Sequence, residues 1–438
     1  MNRITRKFSI FVMAIFLLFA TKIYSQESQN LGFDTLNNKI EHLQSEFNLF
    51  KNLKISGYIQ AQYQIADSAG IKTYAGKDFP AGVDKRFSLR RGRIKFAYST
   101  ELTQYVLQFD VTENQFATKD AYVRFTEPWA KTISLQAGIF DRPFGYEIDY
   151  SSSLRESPER SRFTQTLFPG ERDCGAMLVF QLPKTSPLNF IKIQGGMFNG
   201  IGPSAPDFDK YKDFIGQIML TKSFFNEKLK VGLGASYYNG GFATATKYVY
   251  KDIVTTANGA KAYKVDSTTY AKGNEVKREY MGIDCQITYD SPIGITTLRG
   301  ECIQGKQPGT NASSASPTSA LSGDVYIRNF NGYYVYFVQN IAKTKHQLVL
   351  KYDMYDPDKD VTGSEIGILS TEKNKNKIVT NAGDVKFSTL GFGWIYHWDS
   401  NVKIMAYYDM VKNESTKLAA YSKDLKDNVF TLRVQYKF

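Results

Sequence analysis

What most constrains the fold of this chain is the way long and short connections alternate between its amphipathic segments. Stretches of nine to twelve residues with alternating apolar and polar side chains recur sixteen times. They lie at 54–64, 87–98, 104–112, 118–126, 132–140, 174–182, 190–199 and 213–221, then at 228–239, 280–290, 294–305, 330–340, 345–356, 385–396, 401–412 and 427–438. Successive strand residues point to opposite faces, so each stretch offers one apolar and one polar face. The connections 99–103, 127–131, 183–189, 222–227, 291–293, 341–344 and 397–400 are short. They carry turn chemistry such as Glu127-Pro128, Ser291-Pro292-Ile293-Gly294 and Asp399-Ser400-Asn401. Those between them, 65–86, 141–173, 200–212, 240–279, 306–329, 357–384 and 413–426, are long, with 113–117 the exception. A soluble sandwich has no reason to sort loop lengths in this way, whereas a barrel threaded through a membrane does. The expected fold is all-β: a sixteen-stranded antiparallel transmembrane β-barrel over 54–438, with short periplasmic turns and long extracellular loops.

Individual segments assign the faces. In 54–64, Ile55, Ile59, Ala61 and Tyr63 oppose Ser56, Gln60, Gln62 and Gln64. In 280–290, Met281, Ile283, Cys285, Ile287 and Tyr289 oppose Asp284, Gln286 and Thr288; in 118–126, Ala121, Val123 and Phe125 oppose Asp120, Tyr122 and Arg124. A polar inward face implies a wet lumen, because a charge facing lipid costs roughly 2–4 kcal/mol at midplane. Tyr and Phe number 29 and 31, and many lie near segment ends, as aromatic girdles require. The last segment alternates Phe430, Leu432, Val434, Tyr436 and Phe438 with Thr431, Arg433, Gln435 and Lys437, closing on an aromatic residue. Cys285 and Cys302 share the apolar parity of neighbouring segments and are expected to face lipid.

The N-terminus indicates export. Arg3, Arg6 and Lys7 precede the apolar run Phe8–Ala20, and Ser25 offers a small residue before a cut, so 1–25 is expected to be a signal peptide. An uncleaved anchor helix is the alternative, although the run is shorter than the roughly 20 residues of a spanning helix. Cleavage leaves 51 basic and 43 acidic residues, a net charge of +8. Residues 26–53 differ in kind. Leu36, Ile40, Leu43, Phe47 and Phe50 form a heptad stripe, either a small periplasmic bundle between copies or an amphipathic helix against the barrel base.

Several chemistries are disfavoured. The three histidines, His42, His346 and His397, are far apart, and neither they nor the three cysteines show zinc spacing. No cofactor or catalysis is expected, and cations dispersed among strands disfavour nucleic-acid binding.

Three motifs carry a family resemblance: Phe87-Ser88-Leu89-Arg90-Arg91-Gly92-Arg93-Ile94-Lys95-Phe96, Thr118-Lys119-Asp120-Ala121-Tyr122-Val123, and Gln136-Ala137-Gly138-Ile139-Phe140-Asp141-Arg142-Pro143-Phe144-Gly145-Tyr146-Glu147. Over roughly residues 50–200 the chain resembles the phosphate-selective porin O and P family. Beyond that only the strand rhythm and the closing strand match. The resemblance implies an outer-membrane barrel, usually a homotrimer, with an inward-folded third loop. It implies a pore for small inorganic anions, in some members phosphate or polyphosphate.

Candidate pore-lining cations follow. Arg91, Arg93 and Lys95 share one parity and form a stripe along the lumen wall, and Arg124 lies on the inward face of its segment. Arg90 breaks the alternation, so either Gly92 marks a bulge or Arg90 lies near the rim. The connection 141–173 contains Phe144, Tyr146, Tyr150, Leu154, Phe163, Leu167 and Phe168, able to pack it inside the barrel. Its cations are all arginines, Arg142, Arg155, Arg160, Arg162 and Arg172, suited to oxyanions. Against them stand Asp141, Glu147, Asp149, Glu156, Glu159, Glu171 and Asp173, so the alternative is that these arginines, like the stripe, are paired structurally. Passive diffusion of small anions is the leading functional reading. The alternative is a scaffold for surface lipoproteins using loops 240–279 and 306–329, with the run 310–319 read as a solvated loop.

Overall fold

The computed structural model describes residues 51–368 and 377–438, apart from 114, 204, 205 and 258. The signal segment 1–25 and the heptad stripe up to Phe50 lie outside the described residues. The first half of the sheet comprises β1 (Leu53–Ala66), β2 (Lys85–Ser99), β3 (Thr103–Val111), β4 (Phe116–Thr126), β5 (Ile133–Asp141), β6 (Arg172–Gln181), β7 (Ile191–Phe198), β8 (Asp213–Phe224) and β9 (Leu229–Ala243). After β10 (Val249–Thr255) and β11 (Lys261–Asp266) come β12 (Glu275–Ser291), β13 (Gly294–Gly309), β14 (Val325–Asn340) and β15 (His346–Asp356). Beyond β16 (Lys377–Val379), the chain ends with β17 (Phe387–His397), β18 (Val402–Asn413) and β19 (Val429–Lys437).

Sixteen of these strands form a closed antiparallel barrel: β1–β9, β12–β15 and β17–β19, with β19 pairing back onto β1 from Tyr58↔Lys437 to Ala66↔Val429. Each coincides with one of the sixteen alternating segments. The three remaining strands were not legible as such. β10 and β11 make a hairpin within 240–279, β16 joins its edge, and all three are shorter than the nine-residue alternation that marks a membrane strand.

The barrel is apolar outside and polar inside. Ile55, Ile59, Met281, Ile283 and Val434 are exposed on its outer face, while Gln60, Gln62, Gln64, Asp120 and Asp284 are buried. Cys302 is exposed and Cys285 half-buried on that outer face, as their parity implied. Facing lipid, the outer side needs no polar partner, and the closed ladder leaves no unpaired edge. Short turns and the C-terminus share one end, the periplasmic one.

The lumen is largely filled by the connection between β5 and β6, which contains one short helix, α1 (Arg162–Leu167). Phe144, Ile148, Phe163, Leu167 and Phe168 are buried in one cluster with Tyr238, Tyr280, Phe330 and Tyr334 from the facing wall. Glycines on that wall permit the approach. A Cβ on Gly282 would stand 2.8 Å from the Phe144 ring, and one on Gly332 would stand 3.0 Å from Phe163 Cβ. Leu154 departs from the expected packing: it is 51% exposed, whereas the other apolar residues named in this loop are buried or half-buried. Most of the run 310–319 is exposed, as a solvated loop should be, but Ser314 and Ser316 are buried. Ser316 donates its N–H to Thr166 O at 3.0 Å and its hydroxyl to Leu167 O at 2.8 Å, so this loop is docked on α1.

Candidate pore constriction

The inward loop crosses the bore and is tied to opposite walls. On one wall, Glu301 of β13 accepts the N–H groups of Tyr146 and Glu147, both at 3.1 Å, and Gln217 of β8 donates to Gly145 O at 2.7 Å. Gly145 has φ +63°, and a side chain there would collide with Glu301, so this anchor requires glycine. Arg299 of β13 pairs with Glu156 and stands between the rings of Tyr150 and Tyr336, 4.5 Å from each centroid. On the other wall, residues 152–159 lie along β18, β19, β1 and β2. Gln60 and Gln435 donate to the carbonyls of Ser152 and Ser153, and Lys403 donates to Ser153 O and Arg155 O.

Glu159 is the centre of that second anchor. Arg90 reaches it with Nε at 2.7 Å and Nη2 at 2.8 Å, Arg91 with Nη2 at 2.7 Å, and Arg433 of β19 with Nη2 at 3.1 Å. Two adjacent arginines meet one carboxylate because the ladder slips here. Gln60 faces Arg91 and Ala61 faces Leu89, leaving Arg90 as the extra residue of a bulge. The bulge is therefore at Arg90 itself rather than at Gly92, and Arg90 points inward rather than lying at the rim.

The stripe of β2 is thus mostly occupied. Arg93 contacts Asp110 at 3.2 Å and donates to Ser152 Oγ at 2.9 Å, so Arg91 and Arg93 hold the loop. Most of the loop arginines are engaged as well. Arg142 pairs with Asp173 at 3.2 Å, Arg160 with Glu171, and Arg172 with Asp120, Asp141 and Glu171. Arg162 stands between the rings of Tyr74 and Phe387, 4.3 and 3.9 Å from their centroids. Arg155 is 2% exposed, and its guanidinium donates no hydrogen bond to any described residue.

Between the loop and the β2–β7 wall remains a cavity of about 260 Å³. Lys95, Arg124 and Lys192 line it near the periplasmic ends of β2, β4 and β7. Among the described residues none of the three has a carboxylate partner; Arg124 donates only to Gln136, with Nε at 2.8 Å. The other cations of the lining, Arg93, Arg142, Arg160 and Arg172, are ion-paired, and the carboxylate left without a cation is the exposed Asp149. Arg160 also borders a smaller space of about 20 Å³ on the extracellular side of the loop, with Tyr74, Lys351 and Asp353. Lys192 was not singled out from sequence, although its alternation with Ile191 and Ile193 carries the inward parity.

Known structures share this architecture. An anion-selective porin from Comamonas acidovorans aligns with a TM-score of 0.52 at 11% identity, covering 88% of this chain and 99% of that one. The high-pH structure of OprB from Pseudomonas putida gives 0.53 at 10% identity, covering 95% of this chain and all of that one. No protein-family model and no curated protein matches the sequence. The shared feature is the fold, that of an outer-membrane porin, and the apolar outer belt places this barrel in an outer membrane.

Proposed function

We propose that this barrel is a porin through which small inorganic anions diffuse passively, with no catalytic step and no cofactor. The observation that carries this reading is the cavity beside the loop: among the described residues Lys95, Arg124 and Lys192 have no carboxylate partner there, whereas Asp149 is the one lining carboxylate left without a cation. Fixed charges in a narrow passage with low-dielectric walls act on ions far more strongly than in open water. An excess of unpaired cations favours anions. The paired arginines contribute position rather than net field.

Phosphate or polyphosphate as the permeant is the narrower reading, supported by the motif resemblance and by the affinity of guanidinium and ammonium groups for phosphate oxygens. A homotrimer is the assembly that the same resemblance supports. The test is the zero-current potential of the purified protein in a planar bilayer across a potassium chloride gradient, followed by phosphate competition against the chloride current. Anion selectivity is expected, and a neutral or cation-selective potential would overturn the reading. The burial of Phe144, Phe163 and Phe168 inside the barrel favours a second reading, a largely closed barrel that serves as a scaffold for surface lipoproteins. Absence of conductance from a folded barrel would support it.

A further inference from the structure

We propose that the extracellular side of the inward loop carries a binding site for a small hydroxycarboxylate, with the carboxylate on Arg162 and the hydroxyl groups on Ser313 and Ser314. Among the described residues the Arg162 guanidinium meets two rings and no carboxylate: Tyr74 at 4.3 Å and Phe387 at 3.9 Å from their centroids. Its Nε is buried without a hydrogen-bond partner. The rings cover the faces of the guanidinium and leave its edge, where the N–H groups point, for a ligand. Both rings line one cavity of about 100 Å³ with Arg162, which is the only charged residue among the described residues of that lining. Gln165 donates to Tyr74 O at 2.9 Å, so the connection that supplies Tyr74 is fastened to α1 beside Arg162.

The rest of the lining selects the body of the ligand. Ser313 Oγ accepts the N–H of Ala315 at 3.2 Å, and Ser314 Oγ accepts the hydroxyl of Tyr355 at 3.2 Å, which leaves each serine its own proton to give. The acids outside the cavity are mostly engaged. Asp353 accepts the Arg162 backbone N–H at 3.3 Å and pairs with Lys351 at 3.0 Å, Asp384 pairs with Arg328 at 2.6 Å, and Asp356 lies 3.9 Å from Lys386. Asp427 acts on Arg162 from outside the lining without forming an ion pair. One tempered guanidinium, with no second cation beside it, suits a single carboxylate better than a multiply charged anion. The cavity is several times the roughly 10–15 Å³ that admits one water, so a body of about three or four carbons fits, and the two serines favour one that carries hydroxyl groups. The site lies across the loop from Lys95, Arg124 and Lys192; it rests on the porin reading only for its place on a conduction path.

The test is saturation-transfer NMR of the folded full chain in a neutral detergent, titrated with glycerate, propionate or glycerol. Glycerate should bind about tenfold more tightly than glycerol, which lacks the carboxylate, and severalfold more tightly than propionate, which lacks the hydroxyls. Arg162→Gln should weaken glycerate about tenfold, the order expected for loss of a charge-assisted hydrogen bond. Ser313→Ala with Ser314→Ala should weaken glycerate severalfold and leave propionate unchanged. Lys95→Gln with Lys192→Gln should leave glycerate binding in place while moving the zero-current potential, so this proposal and the anion-pore reading fail separately. Equal binding of glycerate and propionate by wild type, or undiminished glycerate binding in Arg162→Gln, would overturn the proposal. Where Arg162→Gln does not fold, the serine variant decides: a glycerate-to-propionate ratio equal to that of wild type overturns it.

Discussion

Arg90 Nε and Nη2 lie 2.7 and 2.8 Å from the two carboxylate oxygens of Glu159, a two-pronged pairing between a strand bulge and a loop 69 residues further along the chain. Arg91 and Arg433 complete the cluster around this buried acid. Breaking a buried pair by removing one partner typically costs about 3–5 kcal/mol, because the remaining charges lose compensation. Glu159→Gln is therefore expected to release residues 152–160 from the wall. Limited proteolysis should cut the variant in this loop while the barrel stays folded, and single-channel current should become noisier. Protease resistance equal to wild type would show that the other tethers suffice.

The cations divide into two groups with separable effects. Lys95→Gln with Lys192→Gln removes unpaired charge, so the zero-current potential should move toward neutral, most clearly at low salt where screening is weakest. Arg93→Gln instead removes a partner of Asp110 and Ser152. It should lower the temperature at which the folded, heat-modifiable band disappears, by more than the lysine pair does. The opposite division would mean that the paired arginines set the field.

Phe438 closes the barrel from the other end of the chain. Its N–H and C=O exchange hydrogen bonds with Gly57 at 3.0 and 3.1 Å, and its ring occupies the space that a Cβ on Gly57 would need. Phe438→Lys and Gly57→Val are each expected to reduce the yield of folded barrel severalfold, measured by heat-modifiability after refolding. Normal yields from both would remove this contact from the closure step.

One extracellular contact should respond to pH. Tyr263 of β11 places its hydroxyl 2.8 Å from Asp358 and 2.6 Å from Asp384. One phenol has a single proton to give two carboxyls. Burial, with Asp384 nearby, pushes the Asp358 carboxyl up to about 7. A carboxyl raised above its unfolded value of about 4 binds more protons when folded, so its stabilising contribution is present at low pH and declines as pH rises through this window. Hydrogen exchange in β10 and β11, corrected for intrinsic rates, should quicken between about pH 5 and pH 8. Asp358→Asn should flatten that dependence.

Local periodicity made the barrel legible. Alternation repeats every two residues, and the placement of long loops is visible in spacing alone, so all sixteen membrane strands could be read from the sequence. Pairing could not. Nothing near Arg91 announces Glu159, which lies 68 residues away and belongs to a loop whose path depends on the closed wall. The bulge at Arg90 was visible as a broken alternation, but its position was fixed only by the partner strand. Lys192 is readable from parity, but it stands alone, without the neighbouring cations that mark β2. The docking of 310–319 on α1 rests on Ser316, a residue type that composition assigns to solvent.

The anchor of Glu159 also has a temporal meaning. Its cations come from β2 and β19, the strands that flank β1 at the seam where the two ends of the sheet meet. An open sheet offers the loop the arginines of β2 while Arg433 is still elsewhere. Seating of the loop and closure of the seam thus reinforce each other, and a half-assembled barrel is left with its plug loosely held. The loop that narrows the bore thus reaches its full set of partners only when the wall around it is complete.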